Sequence, residues 1–163
     1  MNRDDLLASL RALPAASRII TALDVPGRDE AVALAGRLGP AGGFVKVGLE
    51  LFSAAGPGVV ADMKAAGRDV FLDLKYHDIP NTVASAARIA ARLGASLCTM
   101  HAHNGRAAMT AAAEALAQAE PDSVTGRRPA LLAVTILTSL GQEDIAEIGY
   151  PGTPQDNVLR LAG

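Results

Sequence analysis

Short apolar runs alternate along the chain with longer stretches whose apolar positions recur at helical spacing. Arg18-Ile19-Ile20-Thr21-Ala22-Leu23-Asp24 reads as a strand ending in a carboxylate. Residues 28–38 follow as a helix, with Gly39 as the residue that ends it. Phe44-Val45-Lys46-Val47 is a second strand, and residues 58–66 a helix stopped by Gly67. Residues 69–74 form the third strand and residues 81–93 a helix stopped by Gly94. Ser96-Leu97-Cys98-Thr99-Met100-His101 is the fourth strand, followed by an alanine-rich helix over 107–119. Residues 130–137, an almost unbroken apolar run, give a fifth strand. A short helix over 142–148 ends at Gly149. Thr153 then caps a last helix, with Pro154 at its first position and Asp156 in its first turn. Residues 1–13 read as a polar-capped helix with Asp4 and Asp5 early, and without the apolar segment of a secretory signal.

Strands that alternate with helices predict an α/β fold with parallel strands and right-handed crossovers. Two architectures fit that order, an open doubly wound sheet and a TIM-type (β/α)8 barrel. The turn after the first strand, Asp24-Val25-Pro26-Gly27-Arg28, has no G-x-G-x-x-G pattern for a dinucleotide. Polar residues instead sit at or near several strand ends: Asp24, Lys46, Asp73, Lys75, His101 and Thr138. A barrel assembles its site at those ends. The expectation is therefore a single domain over residues 1–163, the N-terminal portion of a barrel with about its first five β/α units present. Roughly three units would follow by the eight-fold rule. The polar stretch over 121–129 reads as a surface connection.

Composition narrows the partners. The 163 residues are 50% hydrophobic and 20% charged, with a formal net charge of -2. That balance leaves no basic footprint, so nucleic acid is not expected as a partner. No apolar run approaches a membrane span, so no membrane is expected either. A lone cysteine, Cys98, excludes an internal disulfide and predicts a reducing, cytoplasmic setting. Aromatic residues are 3% and Trp is absent, so core volume must come from Leu, Val, Ile and Ala.

The chemistry concentrates in Asp73-Leu74-Lys75-Tyr76-His77-Asp78. On a regular strand Asp73 and Lys75 would share one face. Lys46 would project from the neighbouring strand, and Asp78 would extend the alternation of charge. Such an array meets the cost of burying charge by pairing. An ammonium at a reacting carbon also stabilises a developing carbanion and then supplies a proton to it. No electron-sink cofactor is then required. The plainer reading is an ion-pair ladder that only joins strands.

Phe71-Leu72-Asp73-Leu74-Lys75-Tyr76-His77-Asp78-Ile79-Pro80-Asn81-Thr82 closely resembles the signature of the orotidine 5'-phosphate decarboxylase family. Ala22-Leu23-Asp24, Phe44-Val45-Lys46-Val47-Gly48, Met100-His101-Ala102 and Ala133-Val134-Thr135-Ile136-Leu137-Thr138-Ser139 resemble its other strands in order. The resemblance implies cofactor-free, metal-free decarboxylation of orotidine 5'-phosphate to UMP, the last step of UMP biosynthesis. It implies that Lys75 protonates C6 and that Asp73 lies near the departing carboxylate. Lys46 would bind the ribose side and anchor Asp73, and Asp24 would accept from a ribose hydroxyl. Asp78, Ile79 and Thr82 would reach the other subunit's site, which implies a homodimer. Ser139 would contact the pyrimidine, with Thr138 in the same segment. Plainer roles stand beside these: a strand-end cap for Asp24, a helix start for Thr82, turn hydroxyls for Thr138 and Ser139. His101 reads as an interior histidine and His77 as a packing or surface residue. His103 and Asn104 depart from the small-residue turn that the resemblance implies after His-Ala. The family's phosphate-binding glutamine and arginine have no counterpart here.

Two other readings compete. Related barrel enzymes, 3-hexulose-6-phosphate synthase and ketogulonate-phosphate decarboxylase, resemble metal-dependent enzymes with a carboxylate on the second strand to hold Mg2+. Here Lys46 takes that position, with Glu50 expected beyond the strand. The other reading is a non-catalytic, truncated product. A five-strand half-barrel would expose sheet edges and an apolar inner face, and is expected to be poorly soluble or inactive alone.

Overall fold

The first strands and their helices follow from alternation. In a computed structural model of the chain, β1 (Ile20–Ala22), β2 (Phe44–Gly48) and β3 (Asp69–Tyr76) lie side by side and parallel, in that order. Residues 8, 11, 12, 14–121 and 127–163 are described. The expected helix over 1–13 and the connection over 121–129 therefore fall largely outside the described residues. The chain divides into two compact units, Met1–Asp73 with Arg92–Ser96, and Leu74–Ala91 with Leu97–Gly163.

In the first unit Val45, Val47, Val70 and Leu72 point to one face and are fully buried. Covering that face are α1 (Arg28–Arg37), α2 (Leu49–Ala55) and α3 (Gly58–Ala65), which bury Ala31, Ala35, Leu51, Val59, Val60 and Met63. The opposite face carries Phe44, Lys46, Phe71 and Asp73, all half-buried. Gly67 ends α3 with φ 72. Its N–H donates to Lys64 O, and Arg68 N–H donates to Met63 O, each at 2.9 Å. This paired closure needs a left-handed residue, which glycine supplies without a Cβ penalty. On the outer helices Arg28 grips Asp62 through two hydrogen bonds of 2.6 and 2.7 Å. That guanidinium holds the Asp62 carboxyl below its usual range.

In the second unit the end of β3 is followed by β4 (Leu97–His101) and β5 (Ala130–Val134), with β4 and β5 parallel. The helices are α4 (Pro80–Arg92), α5 (Gly105–Ala117), α6 (Gln142–Glu147) and α7 (Pro154–Ala162). Small residues build this core: Ala84, Ala87, Ala90, Ala102, Ala108, Ala112 and Ala115 are buried beside Val83, Met100, Leu116 and Ile145. Thr153 caps α7 as its sequence predicts. Asp156 N–H donates to Thr153 Oγ1 at 3.1 Å, and Thr153 N–H donates to Asp156 Oδ2 at 2.9 Å. Among the described residues no helix is long and apolar enough to cross a membrane.

Several expected boundaries move. β3 continues to Tyr76 rather than stopping at Leu74, and β1 is confined to three residues, because Ala15–Arg18 form a turn of 3-10 helix. β5 stops at Val134, three residues short of the apolar run. It is also less buried than that run suggests, with Leu132 48% exposed. The helix Leu49–Ala55 has no counterpart in the periodicity reading. It is only seven residues long and is bounded by Gly48 and Gly56, so its pattern resembles a loop.

Candidate active site

Strand register in the first unit brings three strand ends level. Ala22 pairs with Lys46, and Lys46 with Phe71; two residues on, Gly48 pairs with Asp73. Leu23 N–H donates to Lys46 O at 3.0 Å, which carries the β1 register forward to Asp24. Asp24 and Asp73 thus flank Gly48. Lys46 lies two residues before Gly48 on the same face of β2 and reaches past it. Its Nζ is 3.0 Å from Asp24 Oδ1 and 3.8 Å from Asp73 Oδ2. Gly48 makes this reach feasible. A Cβ there would stand 3.2 Å from Lys46 Nζ and 3.6 Å from Asp24 Oδ1.

Magnitudes decide what this cluster is for. The Asp24 side chain is 65% exposed and that of Lys46 23%. A pair so open to water is worth roughly 0–1 kcal/mol. For the Lys46–Asp24 pair the ladder reading therefore accounts for little stability. What the geometry supplies is a cation held at a defined place between two carboxylates, with Asp73 only 13% exposed.

The second unit carries Lys75 and the segment after it. Lys75 has φ 50, the one positive φ of a non-glycine among the described residues. The rule that residues two apart share a face presumes extended backbone at both. At Lys75 that premise fails, so the local turn sets its side-chain direction and strand alternation does not. The backbone here is held by side chains. Lys75 N–H donates to Thr99 Oγ1 at 2.9 Å. Asn104 Nδ2 donates to Tyr76 O, and Asn104 Oδ1 accepts from Asp78 N–H, both at 2.9 Å. Asp78 Oδ1 accepts from Ile79 N–H at 2.7 Å.

Past this brace the side chains turn outward. Asp78, Ile79 and Thr82 are exposed, Ile79 by 66%. Thr82 sits in the first turn of α4, its N–H donating to Ile79 O at 3.0 Å. Thr138 and Ser139 occupy a turn closed by Leu140 N–H on Leu137 O at 3.0 Å, and both are exposed. Glu50 opens α2, beyond the strand, and is exposed, so Lys46 holds the strand position.

The three histidines lie in a row of tilted ring contacts. His77 and His101 ring centroids are 5.5 Å apart, and His101 and His103 are 5.9 Å apart. Tyr150 continues the row at 5.1 Å from His103, and the Arg160 guanidinium lies over Tyr150 at 5.3 Å. Burial pushes His101 and His103 below their ordinary value, with the neighbouring His77 ring adding to it. His103 and Lys75 lower His101 further. Burial also pushes the Tyr76 hydroxyl up to about 12 and the Cys98 thiol up to about 11.

Residues 17–163 match the family model described as Orotidine 5'-phosphate decarboxylase / HUMPS family. The chain belongs to that family. It is 50% identical over 146 residues to the orotidine 5'-phosphate decarboxylase of Nitrosococcus oceani, covering 90% of this chain and 60% of the relative. The Chromobacterium violaceum decarboxylase is 49% identical over 146 residues, covering 90% and 57%. Among solved structures, orotidine 5'-phosphate decarboxylase from Lactobacillus acidophilus superposes with a TM-score of 0.80 at 38% identity, covering 88% of this chain and 64% of that one. A protein from Geobacillus kaustophilus described as uncharacterized gives a TM-score of 0.78 at 43% identity, covering 88% and 66%. The chain spans about 60% of the length of the curated relatives it matches. Family membership bears out the α/β reading with parallel strands, as part of the TIM-type barrel of these decarboxylases.

Within the decarboxylase-family framework, three contributions escape a reading of the sequence. Gly48 stands out there as part of a motif, but not as the gap through which Lys46 reaches Asp24. Its signal is the i, i+2 spacing of lysine and glycine on one strand face. Thr99 is a hydroxyl between the buried, apolar Cys98 and Met100, 1% exposed. Asn104 ends the 3-10 turn after β4, and its amide bridges two backbone groups.

Gly48→Val is expected to force the Lys46 ammonium off Asp24. A structure of the variant checks this, and an unchanged 3.0 Å contact would count against the role given to Gly48. The histidine row sets a pH dependence. The folded chain disfavours charged His101 and His103, so the unfolded chain binds more protons below the ordinary value of 6.5. Stability is full above that value and falls as pH drops from it toward the folded midpoints. Urea unfolding at about pH 7.5 and about pH 5.5 should show the loss, and His101→Gln with His103→Gln should reduce it. NMR midpoints at or above 6.5 for both rings would contradict the burial argument.

Proposed function

We propose that this chain takes part in decarboxylating orotidine 5'-phosphate to UMP without a cofactor. The observation that carries the reading is the Lys46 ammonium held between Asp24 and Asp73, in a chain half identical to proteins named for that activity. In the reaction the C6–carboxyl bond breaks and CO2 leaves, with the electron pair remaining on C6. Lys75 Nζ then gives its proton to C6 and is recharged from water. Asp73 stands by the departing carboxylate. Lys46 binds the ribose side and anchors Asp73, a role the 3.8 Å separation supports. Asp24, open to solvent, accepts from a ribose hydroxyl while its other contact holds Lys46. Thr138 and Ser139 take the pyrimidine side, and their exposure on a turn suits contact with a ligand.

The working unit we infer is a homodimer, with Asp78, Ile79 and Thr82 serving the partner's site. Their outward side chains on a braced backbone support this. The compartment we assign is cytoplasmic. A free, buried Cys98 thiol suits a reducing setting.

Lys75→Ala should lower turnover of orotidine 5'-phosphate by about 10²–10⁴-fold or more, with the circular dichroism spectrum unchanged. Turnover retained in this variant would remove Lys75 from the proton-donor role. Incubation with a chelator should leave the wild-type rate intact. A clear loss would instead favour the metal-dependent branch of the family.

A further inference from the structure

Lys75 adopts a backbone conformation that L-residues with long side chains rarely hold, φ 50. Such a conformation persists where surrounding contacts over-determine it. A strand amide ordinarily donates to the carbonyl of a neighbouring strand. The Lys75 amide donates to a side chain, Thr99 Oγ1 on β4. The next residue, Tyr76, has its carbonyl taken by Asn104 Nδ2. The same amide group of Asn104 accepts the N–H of Asp78 through its oxygen. Three side-chain hydrogen bonds thus fall on the four residues 75–78, from two residues on β4 and the turn after it. Thr99 is 1% exposed, so its hydroxyl is in no position to meet a ligand in solvent. Asn104 spends both ends of its amide on backbone.

We propose that Thr99 and Asn104 are positioning residues that hold Lys75 in its left-handed conformation and so aim its ammonium. This rests on the proton-donor role proposed above for Lys75. Thr99→Val keeps the shape of the side chain and removes the acceptor. Thr99→Ser keeps the acceptor and removes a methyl group. Asn104→Ala removes both ends of the brace at a half-buried site.

The test uses the full chain and has two arms. Steady-state decarboxylation of orotidine 5'-phosphate should show kcat reduced about tenfold or more in Thr99→Val and Asn104→Ala, with KM changed less than about threefold. Thr99→Ser should restore kcat to within about threefold of wild type. The second arm reads the Lys75 Cα and Cβ chemical shifts, which separate left-handed from extended backbone. They should move toward extended values in Thr99→Val and Asn104→Ala and stay in place in Thr99→Ser. Lys75 remaining left-handed in both damaging variants would overturn the proposal. So would a fall in melting temperature with kcat untouched, the mark of a merely structural role. A wild-type chain without turnover would sink the functional reading, and the chemical shifts would still decide the clamp. Should Thr99→Val fail to fold, Asn104→Ala and Thr99→Ser decide between the same outcomes.

Discussion

An ammonium held level with two carboxylates is the contact that the first unit's strand ends are arranged to make. Nothing in its energy makes it a strong structural bond, since Asp24 is mostly in water. Its value is positional. Three parallel strands in register set Asp24, Gly48 and Asp73 in a row. Lysine one step behind the row has the length to enter it, and glycine in the middle leaves the space. A side chain larger than hydrogen at residue 48, or a shift of register by one residue, would separate the charges. The register is set by Val45, Val47, Val70 and Leu72, whose burial on the other face leaves the strands no slack. The apolar face therefore governs the polar one.

A second constraint acts in the other unit. A left-handed lysine costs about 1–2 kcal/mol against an extended one. A net hydrogen bond returns about 1 kcal/mol. The Thr99 and Asn104 contacts are together of the size needed to offset the strain.

The sequence makes some of this legible and hides the rest for physical reasons. Alternating Val-x-Val on β2 and Val-x-Leu on β3 shows those strands directly, because only one face is buried. Gly67, Gly94 and Gly149 mark helix ends because each sits at positive φ after a helix. The seven-residue helix Leu49–Ala55 is hidden because packing against its unit makes it, with too few turns to show a period. The length of β5 misleads because apolar character persists past the point where pairing with β4 stops, at His101 and Val134. Among site residues, Asp24, Lys46 and Asp73 are legible as charges at strand ends, and the structure brings those three together. The left-handed turn at Lys75 is not legible, since nothing about a lysine announces positive φ. Its cause lies in Thr99 and Asn104, more than twenty residues away in sequence and in contact only after folding.

The same brace bears on how the segment over 77–82 works. Asn104 holds backbone at Tyr76 and Asp78 and leaves side chains alone. Asp78 then satisfies the next amide itself, through its bond to Ile79 N–H, and Pro80 opens α4. Backbone groups of Tyr76, Asp78 and Ile79 are thereby held within the chain, while Ile79 and Thr82 remain exposed. A residue delivered to another surface gains most when its backbone loses no further freedom on contact, since that entropy has already been lost in folding. An apolar Ile79 exposed on a rigid turn costs stability when alone and repays it on burial. That asymmetry suits the homodimer proposed above. It also separates the two jobs of this stretch: Asn104 determines where the segment lies, and Asp78, Ile79 and Thr82 determine what it can touch.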